Sequence, residues 1–425
     1  MSGDMRLPVE LLYGVMKQLD SHVRGRTFLF RAMQVNKTWF GEASRVLWRA
    51  PPVSALASPE LSEDQRRKYA TYIRRLHFAY YEDTILHWTF RNLRFTQLRY
   101  IDIDHSVLAH GPNLPLGQYI QGQLRHLKLR RGSVHHVEGV VDLMATRCPN
   151  LGSVDLSFII WRPACEHLIR LFDDKSLKSI HLAYYLSGPI DRDLVAYLTR
   201  YDSLEKLKIS AAPLDAQSLN GVFNTNEQLF RNIRYLELEI DVTYVQPLVR
   251  SIKPARNLIE LHLNVKGDSV NPLPYVSELR SLRVLCIKYR ELVPWSKTDI
   301  LALRGLENLL ILRILFHSRG VVDATLECPQ LTDQDFAYVF QTKPFLRELN
   351  FGAHIIRCNL TVEALVSLGT YCRQLRVCKF PGVYGLHRLW QGDDEINQGR
   401  LNGRSILFPQ LQNLTVIGIL PVREV

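Results

Sequence analysis

The chain has 425 residues, 46% of them hydrophobic and 22% charged, with 53 Lys and Arg against 42 Asp and Glu for a formal net charge of +11. That balance excludes wholesale disorder, and the length exceeds what one core can hold, because single cores stop growing near ~250–300 residues and longer chains split or repeat. No run approaches the ~18 apolar residues of a membrane helix, and Asp4, Arg6 and Glu10 stand where a secretory signal would be apolar, so a soluble cytoplasmic or nuclear protein with no membrane partner is expected. Seven cysteines without CxxC spacing predict neither a disulfide framework nor a zinc site.

Residues 1–50 carry helix signals. LPVELLYGVMKQL (7–19) places Leu11, Leu12, Val15, Met16 and Leu19 on one stripe, with Pro8 suited to the first turn and Glu10 to the positive end of the helix dipole. TFLFRAMQV (27–35) and VNKTWFGEASRVLW (35–48) follow, the latter with Val35, Trp39, Phe40, Ala43, Val46 and Leu47 at 3–4 spacing. Three short helices of this kind are expected to leave apolar surface for a partner.

The order Leu7-Pro8, Glu10 with paired aliphatics, Leu29, Val35-Asn36-Lys37, Trp39 and a closing Leu47-Trp48-Arg49 resembles the F-box. The resemblance implies a three-helix module that inserts into a Skp-family adaptor and so joins a cullin-based SCF ubiquitin ligase, while the rest of the chain recruits a protein substrate. It assigns adaptor contact to Leu7, Pro8, Leu11, Leu12, Val15, Leu29, Val35, Trp39 and Leu47. The alternative is a helical cap that only shields the first unit of a repeat array, in a scaffold unconnected with ubiquitin.

After a linker over 51–72, a six-residue pattern recurs with an apolar first, fourth and sixth residue. It stands as IRRLHF at 73, LRYIDI at 98, LRHLKL at 124, LGSVDL at 151, LKSIHL at 177, LEKLKI at 204 and IRYLEL at 233. It continues as LIELHL at 258, LRVLCI at 282, LLILRI at 309, LRELNF at 346, LRVCKF at 375 and LQNLTV at 411. These thirteen copies lie about 28 residues apart, within the ~20–29 of leucine-rich repeats. Alternation within each copy predicts a strand buried on one face, and about twenty residues between strands allow a helical return, hence a parallel crossover. Val137, Val140, Val141 and Met144 mark one such helix; Ile190, Leu194, Tyr197 and Leu198 mark another; Thr361 caps a third carrying Leu365 and Leu368.

Over 73–425 the chain resembles the leucine-rich-repeat family, an α/β solenoid with strands on the concave face and helices on the convex face. CPNL at 148–151 and CRQL at 372–375 match the subtype in which CPxL or CxxL precedes the strand, and CPQL at 328–331 reads as a further copy that lost its strand. The Asn or Cys that many repeats carry three residues after the motif is missing, so the bend is expected to be irregular. Residues 382–405, rich in Gly and polar side chains, read as a protruding insertion, and the last copy as an edge that needs a tail or a partner.

No GxxxxGK[ST], GxGxxG, HExxH or GxSxG occurs, so neither catalysis in this chain nor a cofactor or metal is expected. Outward positions, the third, fifth and seventh of each copy, are charged in bands: Asp102 and Asp104 acidic, Lys128 and Arg130 basic, Lys206 and Lys208 basic, Glu237 and Glu239 acidic. A nucleic-acid track would be basic throughout, so nucleic acid is not expected, whereas banding suits a protein substrate of complementary charge. The candidate substrate-binding residues are His126, Lys128, Arg130, Asp155, Lys206, Lys208, Tyr235, Glu237, Glu260 and His262.

Overall fold

The computed structural model describes residues 7–22, 24–78, 84–104, 116–130, 137–157, 162–173, 175–183, 192–210, 222, 229–254, 256–268, 270–291, 293, 295–316, 326–328, 330–352, 356–358, 360–381 and 407–417. The predicted insertion at 382–405 and the tail after 417 lie outside them. The chain divides into two compact units, Met1–Ser187 and Gly188–Val425.

The first unit opens with helices α1 (Val9–Asp20), α2 (Gly25–Ala32) and α3 (Lys37–Leu47). Asn36 caps α3, its Oδ1 accepting from the Thr38 and Trp39 amides at 3.0 Å each, which is the use of the Asn between Val35 and Lys37. At Gly25 a Cβ would lie 2.5 Å from the Asp20 carbonyl oxygen, so only glycine lets α2 start this close to the end of α1. The helices α4 (Val53–Ala57) and α5 (Glu63–Ala70) follow, the latter fixed by a Ser62–Gln65 capping box. Strands β1 (Arg75–Phe78), β2 (Tyr100–Asp104), β3 (His126–Arg130), β4 (Ser153–Ser157) and β5 (Ser179–Ala183) then pair in parallel, in chain order. Helices α6 (Thr84–Thr89), α7 (Val137–Arg147) and α8 (Arg162–Asp173) lie in the intervals between them.

The second unit repeats this plan with α9 (Arg192–Arg200), β6 (Lys206–Ser210), β7 (Tyr235–Asp241), α10 (Val245–Ile252), β8 (Glu260–Lys266), α11 (Leu273–Val276), β9 (Val284–Tyr289), α12 (Lys297–Ala302) and β10 (Ile311–Phe316). It continues through β11 (Leu326–Cys328), α13 (Asp333–Phe340), β12 (Glu348–Gly352), β13 (Ile356–Cys358), α14 (Val362–Tyr371), β14 (Val377–Pro381) and β15 (Asn413–Ile417). The sheet runs β6-β7-β8-β9-β10-β12-β14-β15, while β11 and β13 form a separate parallel pair. The fold is thus α/β, a leucine-rich-repeat solenoid in each unit.

Each of the thirteen motifs starts a strand at its third residue, and every described pairing is parallel with like positions opposed. The fourth residues form one unstaggered row in each unit: Leu76, Ile101, Leu127, Val154 and Ile180 in the first, Leu236, Leu261, Leu285, Leu312 and Leu349 in the second. First, fourth and sixth residues are buried in the twelve copies from 73 to 375, so each rung buries its aliphatics only against its neighbours. The last rung lacks that cover, and Leu414 is 41% exposed.

A backbone spine holds the rungs in register. The amides of the second and third residues of a copy both donate to the second carbonyl of the copy before, as when Arg99 and Tyr100 donate to the Arg74 carbonyl at 2.9 and 3.0 Å. Arg74 and Arg75 donate in the same way to the Arg49 carbonyl, at 2.8 and 3.0 Å, so Arg49 acts as the second residue of a rung that has no strand. The turn polar groups are met by an Asn one residue before the motif: Asn150, Asn232 and Asn308 donate to the carbonyls of Gly122, Asp202 and Arg280 at 2.8–3.1 Å. The turn is therefore regular, with its Asn before the strand instead of after it.

Three residues before the motif, Cys148 and Cys372 are fully buried, their thiols pointing at the Gln121 and Phe340 carbonyls. Burial pushes these thiols up to about 11 and about 12, which suits small apolar fillers and no nucleophile. Lys343 takes the same slot in KPFL and donates to the Leu306 carbonyl at 3.0 Å, and burial draws its ammonium down to about 8. CPQL at 328–331 does not precede a lost strand. Cys328 ends β11, and Thr332 immediately begins α13 with a capping box to Asp335, so the segment leads into a helix.

Candidate interaction surfaces

The three amino-terminal helices close a small core of Leu12, Met16, Leu29, Ala32, Ala43 and Val46, with Tyr13, Leu19, Met33, Trp39 and Leu47 packed against it. Two of the residues expected at the adaptor surface, Leu12 and Leu29, are thus 1% and 0% exposed and offer a partner nothing. Trp39 and Leu47 are half-buried. Leu7, Pro8, Leu11, Val15 and Val35 are exposed, and Val9, Phe28, Phe30 and Phe40 join them although the sequence reading omitted them. On α1 the stripe divides: Leu12 and Met16 turn inward, while Leu11 and Val15, one turn apart and one turn beyond Leu7, face water. The available signal was TFLF, where Phe28 and Phe30 flank a buried Leu29 and cannot follow it into so small a core.

Leu47-Trp48-Arg49 faces the first repeat. Trp48 stacks on Tyr69 at 4.3 Å with the rings 5° apart, and the Arg49 carbonyl supplies the first rung of the spine. These residues have a junction role independent of any adaptor.

On the strand face of the first unit, the fifth residues His77, Asp102, Lys128, Asp155 and His181 form one row across five strands. Asp102, only 3% exposed, receives Arg130 through two nitrogens at 2.5 and 3.2 Å and His77 at 3.1 Å. Asp155 receives Lys128 and His181, both at 2.8 Å. Burial alone would raise the Asp155 carboxyl, but these two donors override it and hold it at about 2. The acidic and basic bands therefore neutralise each other rung to rung, and His126 at the third position is the exposed member of this group.

In the second unit, Tyr235 donates to Glu237 Oε2 at 2.6 Å, stacks near His262 at 5.0 Å and carries Lys206 over its ring at 4.3 Å. Lys208 lies 3.2 Å from Glu237 Oε1. Burial, then the Glu237 hydrogen bond, push the Tyr235 hydroxyl up. Burial opposes ionisation of Glu237, but Tyr235 and Lys208 keep it below the usual carboxylate range. Glu260 stands 3.8 Å from His262 Nε2, and burial pulls that imidazole down. Glu239, nearly fully buried, lies between Lys266 at 3.0 Å and Arg290 at 2.6 Å, and Arg313 grips Glu348 through two nitrogens at 2.6 and 2.7 Å. Of the ten expected substrate residues, the structure joins Lys206, Lys208, Tyr235, Glu237, Glu260 and His262 into one cluster, and Lys128, Arg130 and Asp155 into the other with His126 beside them.

Sequence reasoning missed an apolar patch. From β9 onward, the third residues of the rungs include Val284, Ile311 and Val377, half-exposed, with Leu315 and Phe316 at the end of β10. Copies such as LRVLCI and LLILRI show it as an apolar third residue where other copies are polar. An apolar centre beside charged Lys288, Arg313 and Glu348 has the make-up of a protein contact surface.

Among solved structures, the chain is similar to the crystal structure of the LRR ectodomain of the plant membrane receptor kinase GASSHO1/SCHENGEN3 from Arabidopsis thaliana in complex with CASPARIAN STRIP INTEGRITY FACTOR 2. The identity is 15% and the TM-score 0.35, over 72% of this chain and 35% of that one, so this chain spans about a third of that ectodomain's length. A scan of protein-family models and a search of curated proteins found no match to this chain.

Proposed function

We propose that this chain is a non-catalytic recognition subunit of an SCF-type ubiquitin ligase. Its helical module docks a Skp-family adaptor and its repeats hold a protein substrate near the ubiquitin donor, so that proximity is its whole contribution. The observation that carries this reading is the exposed set Leu7, Leu11, Val15, Phe28, Phe30, Val35 and Phe40 on a module that already has a closed core. A cap has no use for outward Leu and Phe side chains, which cost solubility unless a partner covers them. Co-purification tests it. The intact chain should retain a Skp-type adaptor, and Leu11→Asp with Val15→Asp, which leave the core intact, should abolish retention; an adaptor held equally by both forms, or by neither, overturns it.

The cap reading is favoured by one observation of its own, the use of Trp48 and Arg49 at the first rung. Under it the same double variant leaves every interaction of the chain unchanged and only improves solubility.

A further inference from the structure

The spine places the second residue of consecutive copies directly beside one another. In the first unit those residues are Arg49, Arg74, Arg99 and Arg125, followed by Gly152. Neighbouring parallel rungs are ~4.8 Å apart, so four guanidinium-bearing positions occupy about 14 Å along one edge of the sheet. Arg75 adds a fifth charge beside Arg74. Arg75, Arg99 and Arg125 are exposed, and Arg49 and Arg74 are half-buried. Arg74 Nε donates to Gln97 Oε1 at 3.3 Å, and none of the five takes part in an ion pair among the described residues. Residues 71–75, 96–100, 122–126 and 149–153 contain no Asp or Glu at all. The carboxylates of the adjoining strand face, Asp102 and Asp155, are already held by Arg130, Lys128 and two histidines.

We infer that this arginine ladder is a docking edge for an acidic polypeptide segment, read by guanidinium–carboxylate pairing one rung at a time. The inference rests on the reading of the repeats as a surface that holds a protein. Like charges stacked at this spacing are destabilising by themselves, and planar guanidinium groups match carboxylates with two parallel hydrogen bonds. The local field is uncompensated: after burial, the charges of Arg75 and Arg125 are what pull the His126 imidazole below its ordinary value. A nucleic-acid strand fits less well. Four or five phosphate contacts fall short of the ~6–10 of a typical polyanion binder, and the edge is bounded by Asp102 and Asp155, which repel phosphate. In the second unit the same position reads Glu205, Arg234, Ile259, Arg283, Leu310, Arg347 and Arg376, where only the last two are consecutive basic rungs.

The test uses the full chain and a short fluorescein-labelled peptide rich in Glu, with Gln at every Glu as control, read by anisotropy. Binding should be confined to the Glu peptide and weaken at least about tenfold in Arg99→Gln with Arg125→Gln. Gly152→Arg extends the ladder by a rung, since a Cβ there meets only the Arg125 carbonyl oxygen at 3.9 Å, and should tighten binding about threefold. Lys206→Gln with Lys208→Gln should change nothing. Equal binding by the double arginine variant, or a single-stranded RNA that binds tighter than the peptide and is lost with the same arginines, overturns the inference. Adaptor capture is read in parallel on each variant. Capture retained while peptide binding fails sinks the ladder alone, and the reverse sinks the adaptor reading alone.

Discussion

In Met1–Ser187 the edge position beside the spine carries arginine on four successive rungs, whereas in Gly188–Val425 it alternates basic with apolar and acidic residues. The outward strand face shows the opposite contrast. The first unit's row from His77 to His181 is polar throughout and closed by ion pairs, while the second unit opens an apolar patch at Val284, Ile311 and Val377. Both units rest on the same buried rows and the same carbonyl spine. Backbone and core therefore specify where a side chain stands, and only the outward positions distinguish what each unit can hold.

The largest expected effects ask whether the cores are equivalent. Leu127 lies in the first unit's fourth-residue row and Leu261 in the second's, each flanked on both sides. Truncation of either to alanine should cost about 3 kcal/mol by urea denaturation, and Leu414→Ala, on the 41% exposed last rung, under about 1 kcal/mol. A difference between the first two larger than the scatter of such measurements would break the equivalence.

Next comes acid stability, where the units should part. His87 on α6 is fully buried in the first unit, packed on Phe78 at 4.2 Å with Nδ1 3.0 Å from the Tyr119 hydroxyl, and burial draws it to about 4 from 6.5. The unfolded chain binds this proton first as pH falls, so the contribution is intact above pH 6.5 and lost on descent to pH 4, about 3 kcal/mol in all. The urea midpoint should therefore drop over that window, and His87→Phe should flatten the drop. An unchanged pH profile in the variant would remove His87 as the cause.

Asp155 gives the opposite titration in the same unit. Its carboxyl ionises at about 2 when folded against 3.8 unfolded, so its stabilisation is complete above pH 4 and disappears between pH 4 and pH 2, about 2 kcal/mol. Asp155→Asn should lose that step and, by freeing Lys128 and His181, leave charge on the strand face. The measurement is acid unfolding in the His87→Phe background, where the two windows do not overlap.

All thirteen long strands were legible because a one-sided strand needs alternation and a repeat needs even spacing, and both are written in the residues. The pair β11 and β13 was not, since three residues such as LEC or IRC are too short to show a period. The helical module was legible as three amphipathic helices, but a stripe holding both Leu11 and Leu12 is wider than one face, and helix packing decided that Leu12 and Leu29 go inward. Charge bands were visible copy by copy. Their neutralisation depends on which rung opposes which, as in Lys128 beside Asp155, and register is a property of the assembled sheet.

The smallest effect bears on the part the units share. Asn150 in the first unit and Asn232 in the second each donate a side-chain amide to the turn of the preceding copy, at 2.9 and 2.8 Å. A net hydrogen bond to an exposed turn carbonyl is worth about 1 kcal/mol, because water replaces the lost donor in part. Asn150→Ala and Asn232→Ala should each lower stability by that amount, equally, and Asn→Asp should cost as much or more, since a carboxylate cannot donate to the carbonyl. Equal losses would mean that the turn is one device used on both sides of residue 187 whatever the outward faces do; a loss confined to one unit would mean that the spine itself, and not only its decoration, differs between them.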